Sequence, residues 1–324
     1  MLDDVDERGN PAIQSLMAAS VSLRQLLARA IDYAGLFPPC SLDLPPALAN
    51  QADYVRSTDS WMLSTFVLPV ARFSDAENQL ASFDAAYPLR LSVLGARKES
   101  PGDFINELKE TRRALDAFAD RHTGRASVHQ LEMALPKDAD AAVLAEARAT
   151  LAGTDWQCFW EAPANAAEQT IDLLAEHNNA SAGQRGFGFK LRTGGVTASV
   201  FPSSQQIARA LVAATQRQVS IKFTAGLHHP VRQHREEVQT KMHGFLNVLG
   251  AGVLAAQHGW NEKQTTEMLE SEDSGAFSFD DSSFQWREWK IANDRIATHR
   301  TLITSFGSCS FDEPREDLAA LNFL

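Results

Sequence analysis

Short apolar runs alternate with longer segments of helical periodicity over most of the chain. The apolar runs predict strands at residues 30–36, 62–68, 89–94, 128–135, 157–162, 186–192, 219–225 and 244–249. Helical spacing of apolar residues appears at 20–30, 104–118, 141–151, 166–177 and 204–216. Strands that alternate with helices are typical of a parallel sheet covered by its crossover helices. Eight such units favour an α/β fold of the (β/α)8 TIM-barrel type over an open doubly wound sheet.

The alternation stops at both ends of the chain, which predicts three regions. Residues 1–19 are polar and acidic and predict a flexible N-terminal tail. Residues 20–258 predict the barrel, preceded by one N-terminal helix. Residues 259–324 are richer in polar residues with scattered aromatics, and they predict a C-terminal extension packed on the barrel.

Composition narrows the classes of partner. The chain has 324 residues, 44% of them hydrophobic, and a formal net charge of -11, which disfavours nucleic acid and anionic membrane surfaces. The three cysteines indicate neither a disulfide framework nor a CxxC metal site. The N-terminus does not resemble a secretory signal, and no apolar stretch is long enough to span a bilayer. We therefore expect a cytoplasmic protein without a cofactor, whose partner is a small molecule; a homo-oligomer is compatible with this composition.

Two lysines stand in similar settings at the ends of consecutive predicted strands. Lys190 lies in GFGFKLRTGG and Lys222 in VSIKFTAGLHHP. Each follows a short apolar run, and Thr193 or Thr224 with glycines follows each. Lysine is among the residues least often fully buried. Two of them at the ends of core strands therefore indicate chemistry.

Strand alternation places charged side chains inside the predicted barrel. Successive residues of a strand face opposite sides, so the residues next to these lysines face the helices. The same phase brings a set of charges inward: Asp32, Arg90, Glu132, Glu161, Lys190, Arg192 and Lys222. Buried charges cost several kcal/mol each unless they are paired. A charged network at the C-terminal strand ends, where barrel active sites lie, is the functional interpretation; a salt-bridged core is the structural alternative.

Two neighbouring lysines could supply a nucleophilic amine. The ordinary pKa of lysine, about 10.4, opposes a free amine at neutral pH. Burial and a nearby positive charge both lower that pKa, and adjacent strands lie only about 4.8 Å apart. We therefore expect one lysine to be a free amine that forms a Schiff base with a carbonyl compound. A carboxylate and a water would move the protons.

The order of these motifs resembles the deoxyribose-phosphate aldolases and related class I, Schiff-base aldolases. The likeness is carried by Phe-Lys190-Leu-Arg-Thr-Gly on strand six, Ile-Lys222-Phe-Thr-Ala-Gly on strand seven and Leu-Glu132-Met-Ala on strand four. The resemblance implies a lyase that cleaves or forms a carbon–carbon bond in a small carbonyl compound. It also implies that Lys190 forms the imine, that Lys222 is the second lysine, and that Glu132 transfers protons where the family has Asp.

The chain departs from that family where a phosphate would bind. The segment 225–230, AGLHHP, replaces a Gly-Gly-Ile-Arg type turn, and Arg192 has no counterpart in the family. A standard phosphosugar is therefore not the expected substrate. The predicted substrate contacts are Asp32, Arg90, Glu161, Arg192, Thr193, Thr224, His228, His229 and Arg232.

Two other classes remain open. A metal-dependent TIM-barrel hydrolase could use His228 and His229 with Glu132 and Glu161, although no HxH on the first strand and no HExxH motif is present. A non-catalytic barrel that binds a small molecule is the other alternative. The presence of both lysines argues against the loss of catalysis.

Overall fold

A computed structural model describes residues 19–324 of the protein. The predicted flexible tail, residues 1–19, lies outside the described residues except for Ala19. Among the residues described, no helix is long and apolar enough to cross a membrane.

Eight parallel strands close into a barrel, so the predicted (β/α)8 TIM-barrel fold is confirmed. Around the barrel the order is β1, β2, β3, β4, β5, β6, β7 and then β13, which returns to β1. The strands are β1 (Ile31–Tyr33), β2 (Leu63–Pro69), β3 (Leu89–Leu94), β4 (Ala126–Ala134), β5 (Gln157–Glu161), β6 (Gly188–Arg192), β7 (Ile221–Thr224) and β13 (Ile303–Ser308).

Helices follow most strands. They are α1 (Val21–Leu27), α2 (Leu44–Tyr54), α3 (Phe73–Glu77), α4 (Pro101–Arg121), α5 (Ala141–Thr150), α6 (Ala167–Ala180), α7 (Ser204–Arg217), α8 (Phe245–His258), α9 (Glu262–Leu269), α10 (Asn293–His299) and α11 (Asp312–Ala320). All five helices predicted from apolar spacing are present. Helix α7 begins with a capping box, in which Ser203 and Gln206 satisfy each other's backbone N–H groups.

Two small antiparallel sheets lie outside the barrel. One is the hairpin of β8 (Gln233–Arg235) and β9 (Thr240–Met242). The other is formed by β10 (Phe277–Phe279), β11 (Ser283–Trp286) and β12 (Trp289–Ala292). The second sheet lies within the polar, aromatic-containing segment 259–324 that the sequence placed in an extension.

The prediction of the eighth strand at 244–249 is wrong, because this segment opens helix α8. Every residue from Phe245 to Ala255 is buried. When an apolar run is buried on all sides, its sequence pattern does not distinguish a strand from a helix. The closing strand is instead β13, which pairs with β1 through Ile31 and Phe306 and with β7 through Phe223 and Phe306.

The boundary predicted at residue 258 is corrected in consequence. Residues 259–324 contain a strand of the barrel itself and are not merely an extension packed on it. Helix α8 covers this strand. Phe245 stacks on Phe306 with ring centroids 5.0 Å apart, and a Cβ on Gly252 would lie 2.8 Å from the Ile303 side chain. Glycine at position 252 therefore allows the helix to approach the closing strand.

We predict that a chain ending at residue 258 does not fold. Without β13, the backbone edges of β1 and β7 and the buried face of α8 lose their partners. Full-length protein should show cooperative thermal unfolding by circular dichroism, and the 1–258 fragment should show none. Cooperative unfolding of the fragment would restore the boundary predicted from the sequence.

Candidate active site

The C-terminal ends of the barrel strands surround a cavity of about 260 Å³. Side chains from several strands and loops line this cavity, which we call the lysine cavity: Asp32, Ala34, Phe37, Pro38, Val67, Leu94, Glu132, Lys190, Arg192, Gly195, Val196, Thr197, Val200, Lys222, Phe223, Thr224, Ala225, His228, Gly307 and Cys309. Its position agrees with the usual location of active sites in this fold. Its walls are largely apolar, and its charged groups gather at the floor.

The two lysines lie side by side on β6 and β7, where Lys190 pairs with Lys222 in the strand register. Glu132 on β4 joins them. Its Oε2 lies 2.8 Å from Lys190 Nζ, and its Oε1 accepts a hydrogen bond from Lys222. Glu161 on β5 completes the pairing of Lys190, with 2.9 Å between Oε2 and Nζ.

Lys222 is the more enclosed lysine. Its side chain is 1% exposed, and its Nζ lies 2.9 Å from Asp32 Oδ2 and 2.5 Å from Gln130 Oε1, in addition to Glu132. Asp32 is held in turn by two hydroxyl groups. Thr65 and Ser305 donate to its two carboxylate oxygens, each at 2.5 Å.

A layer of packed side chains supports the network from below. The ring of Phe159 lies 5.3 Å from Lys222 Nζ, a distance that allows a cation–π contact. This ring occupies space that only a glycine leaves open, since a Cβ on Gly188 would lie 2.6 Å from it. Gly188 and Phe159 are partners in the register of β5 and β6, so the lack of a side chain at Gly188 leaves room for the Phe159 ring next to Lys222.

The electrostatics of Lys190 run opposite to the expectation from the sequence. Burial alone would lower its pKa, but the carboxylates of Glu132 and Glu161 outweigh burial, and the pKa is raised. Burial likewise would raise the pKa of Glu132, but Lys190 and Lys222 hold it below its ordinary value. The direction of this pKa shift favours the ammonium form of Lys190 in the free protein, whereas the sequence analysis expected a free amine.

The Thr and Gly residues after each lysine connect the two loops. Thr193 Oγ1 donates to the backbone oxygen of Ala225 at 2.6 Å. A Cβ on Gly194 would lie 2.9 Å from Gly226 Cα, so the loops after β6 and β7 touch backbone to backbone. Gly226 also has φ +77°, a conformation that favours glycine. Thr193, predicted to bind substrate, thus holds the loop after β7.

The structure brings seven of the predicted site residues into the lining of the lysine cavity: Asp32, Glu132, Lys190, Arg192, Lys222, Thr224 and His228. Glu161 joins them through Lys190. Arg192, the last residue of β6, is exposed at the mouth. His228 Nδ1 lies 3.1 Å from Glu313 on α11.

Three predicted residues lie outside the lining of the lysine cavity. Arg90, the second residue of β3, lies at the opposite, N-terminal end of the barrel. His229 Nδ1 contacts Asp317 at 2.6 Å, and Arg232 contacts Glu272 at 2.9 Å. The structure does not bring these three side chains into the lining of the lysine cavity.

Several polar residues of the network were not identified from the sequence: Thr65, Ser92, Gln130 and Ser305. Gln130 precedes Glu132 by two positions on β4, and strand alternation could have placed both on one face. Ser92 on β3 donates to Glu132 and, at 3.1 Å, to Gln130. Ser305 could not be found in this way because its strand was not predicted.

The four residues predicted as alternative metal ligands do not form a metal site in the structure. Glu132 and Glu161 are engaged by lysines, whereas His228 and His229 contact carboxylates of α11. Within residues 19–324, no group of three or more His, Cys, Asp or Glu side chains is arranged to hold a metal ion.

The fold and the site define a TIM-barrel protein with a buried lysine–carboxylate network at its C-terminal face. No known family model matches the chain, and a search of curated proteins finds no similar sequence.

We predict that Glu132→Gln destabilises the protein and weakens its response to acid. The folded-state pKa of Glu132 is lowered, so its ionisation stabilises the fold above about pH 4.3 and this contribution is lost as the pH falls. At pH 7 the variant should lose about 3 kcal/mol of unfolding free energy, because two buried ammonium groups lose a partner. Below about pH 4.3 its stability should fall less steeply than that of the wild type.

Urea unfolding across this pH range measures both effects. Glu236→Gln is the matched control, since the Glu236 side chain is 84% exposed. The control should behave as the wild type does. Equal stability and equal acid response of the Glu132 variant would contradict a central role for this carboxylate.

Proposed function

We propose that this protein is a Schiff-base-forming lyase that cleaves or forms a carbon–carbon bond in a small carbonyl compound, with Lys190 as the residue that bonds to substrate. The observation that carries the proposal is the position of Lys190 Nζ. It lies at the floor of an otherwise apolar cavity, between two carboxylates at 2.8 and 2.9 Å and beside a second lysine. These are the groups that imine chemistry requires: an amine, proton acceptors and a fixed cation.

Lys190 is a better nucleophile than Lys222 for a geometric reason. An ammonium group has three N–H donors. Lys222 directs its donors to three acceptors, on Asp32, Glu132 and Gln130. Lys190 has two carboxylate partners among the described residues, so one tetrahedral position of its nitrogen remains available to a substrate.

The reaction begins with loss of a proton from Lys190, because its pKa is raised in the free protein. Glu161 is suited to accept this proton and pass it to water, since its side chain is 18% exposed and that of Glu132 is 3% exposed. The free amine then adds to the substrate carbonyl carbon to give a carbinolamine. Protonation of the hydroxyl by a carboxylic acid releases water and leaves a protonated imine.

The protonated imine accepts the electron pair of the bond that breaks. In the cleavage direction a base removes the proton of the β-hydroxyl group, the carbon–carbon bond breaks, and its electrons form an enamine on Lys190. Protonation of the enamine carbon and hydrolysis of the imine then release the second product and restore Lys190. Glu132 is placed to serve as acid and base, while Lys222 stabilises negative charge next to it.

The lining of the cavity favours a small substrate with one anionic end. Phe37, Val67, Leu94 and Val200 make the wall apolar, and the volume of about 260 Å³ admits only a small molecule. Arg192 is exposed at the mouth, and the buried His228 also lines the cavity. A carboxylate pairs well with a guanidinium group, so a ketoacid fits this distribution of charge.

We predict that sodium borohydride traps a covalent adduct on Lys190 when the protein is incubated with its carbonyl substrate. A panel of small aldehydes and 2-ketoacids supplies the donors, and peptide mass mapping locates the adduct. Lys190→Arg should abolish trapping, whereas Lys137→Arg, a change at an exposed lysine, should not affect it. The trapping rate should rise from pH 7 towards pH 10, because the raised pKa of Lys190 keeps the amine protonated at neutral pH and the unprotonated fraction grows as the pH rises.

The outcome of this experiment distinguishes a Schiff-base lyase from a non-catalytic binding barrel. Absence of an adduct at Lys190 with every donor would overturn the imine mechanism and favour a binding barrel with a salt-bridged core. An adduct that persists in Lys190→Arg and maps to Lys222 would transfer the nucleophilic role to the other lysine.

We further predict that Arg192→Gln weakens the use of anionic donors and spares neutral ones. Loss of a charge-assisted contact should raise the KM for a trapped ketoacid by about tenfold or more and leave the KM for an aldehyde within about twofold. Initial rates of trapping at several donor concentrations measure both constants. Equal effects on the two donor classes would contradict the assignment of Arg192 to a carboxylate.

A further inference from the structure

A second polar opening lies at the N-terminal ends of the strands, opposite the lysine cavity. It consists of two adjoining cavities of about 300 and 380 Å³ that share Arg29 and Ser64 in their linings. We call it the N-terminal hollow. Arg90 lines it from the second residue of β3, whereas Leu94, the last residue of that strand, lines the lysine cavity. The two openings are thus at the two ends of one barrel.

Three arginines converge on the N-terminal hollow. Arg29 precedes β1, Arg90 lies on β3, and Arg300 lies between α10 and β13. Within residues 19–324, the carboxylates that pair with arginine contact other positions and none of these three. Arg90 and Arg300 are partly buried. A partly buried guanidinium group without a counter-charge is unfavourable, so the convergence of these arginines needs a reason.

The arginines also have unused hydrogen-bond capacity. Nε of Arg90 and Nε of Arg300 are buried and find no acceptor among the described residues. The terminal nitrogens of Arg300 hold backbone oxygens, including that of Ala28 at 3.0 Å, so this guanidinium group is fixed in place. Buried donors without acceptors are uncommon in folded proteins.

The pKa shifts of Arg90 and Arg300 agree with the burial of these side chains. Burial and, to a smaller extent, repulsion from Arg29 lower the pKa of Arg90 to about 10. Burial also lowers the pKa of Arg300 to about 10. Asp32 favours the charged form of both, but this carboxylate is already engaged by Lys222, Thr65 and Ser305.

We propose that the N-terminal hollow binds the phosphate group of a small phosphorylated molecule through Arg29, Arg90 and Arg300. Arginine forks match the oxygens of a phosphate group and pair with it in bidentate fashion. Hydroxyl groups of Ser64 and Ser305 in the same lining offer further donors or acceptors. The site is separate from the lysine cavity and does not depend on the Schiff-base mechanism.

The position of the site suggests that its occupancy affects the lysine network. Gln130 lines the N-terminal hollow, and its Oε1 accepts a hydrogen bond from Lys222 at 2.5 Å. Ser305 lines it as well and donates to Asp32 at 2.5 Å. A bound phosphate is therefore separated from Lys222 by Gln130 alone and from Asp32 by Ser305 alone.

Isothermal titration calorimetry with inorganic phosphate and pyrophosphate tests the proposal, with acetate at equal ionic strength for comparison. Full-length wild-type protein should bind the phosphate probes at concentrations below about 10 mM and should bind acetate at least about tenfold more weakly. Arg29→Gln and Arg90→Gln should each weaken phosphate binding by about tenfold or more. Arg72→Gln, a change at an exposed arginine paired with Asp75, should leave binding unchanged.

One further variant distinguishes this site from the lysine cavity. Arg192→Gln should bind phosphate as the wild type does, because Arg192 lies at the opposite end of the barrel. The Arg29 side chain is exposed, so Arg29→Gln tests the proposal even if Arg90→Gln fails to fold. No heat of binding in the wild type, equal binding of acetate, unchanged affinity in Arg29→Gln, or loss of affinity in Arg192→Gln would each overturn the proposal.

Discussion

Charge balance inside the barrel is the constraint on which this site depends. Two ammonium groups and three carboxylates lie where isolated charges would cost several kcal/mol each. The strand register places Lys190 beside Lys222, and this repulsive pair is tolerable because Glu132 bridges them while Glu161 and Asp32 close the two ends. The polar interior is therefore one connected unit.

The pairing that allows two lysines to be buried also opposes their use as nucleophiles. Carboxylates raise the pKa of Lys190, so the amine becomes available only when its proton leaves. All three N–H donors of Lys222 have acceptors, whereas Lys190 has two carboxylate partners among the described residues. Two residues of the same type thereby acquire different chemical capacities from the number of their acceptors. Glu132 therefore takes part both in the charge balance that stabilises the interior and in the proposed catalysis.

Two polar side chains, Gln130 and Ser305, lie between the N-terminal hollow and the lysine network. Gln130 and Ser305 contact Lys222 and Asp32 on one side and line the arginine-rich hollow on the other. A barrel interior is normally filled with branched aliphatic side chains, which would insulate its two faces from one another. Here Thr65, Ser92, Gln130 and Ser305 replace part of that filling. Hydrogen bonds of Gln130 and Ser305 therefore join the lining of the N-terminal hollow to the lysine network.

Local periodicity by itself determined the barrel class, the first seven strands and the inward phase of Lys190, Lys222, Glu132 and Asp32, because the alternation of apolar and polar residues is contained in each segment separately. The closing strand escaped prediction because Ser305 and Gly307 make it look like a loop, and only its register with β1 and β7 makes it a strand. The placement of Arg90 at the far end and the pairing of His229 with Asp317 were likewise decided by tertiary structure. The raised pKa of Lys190 has the same origin, since alternation tells which way a side chain points but not which charges it will meet.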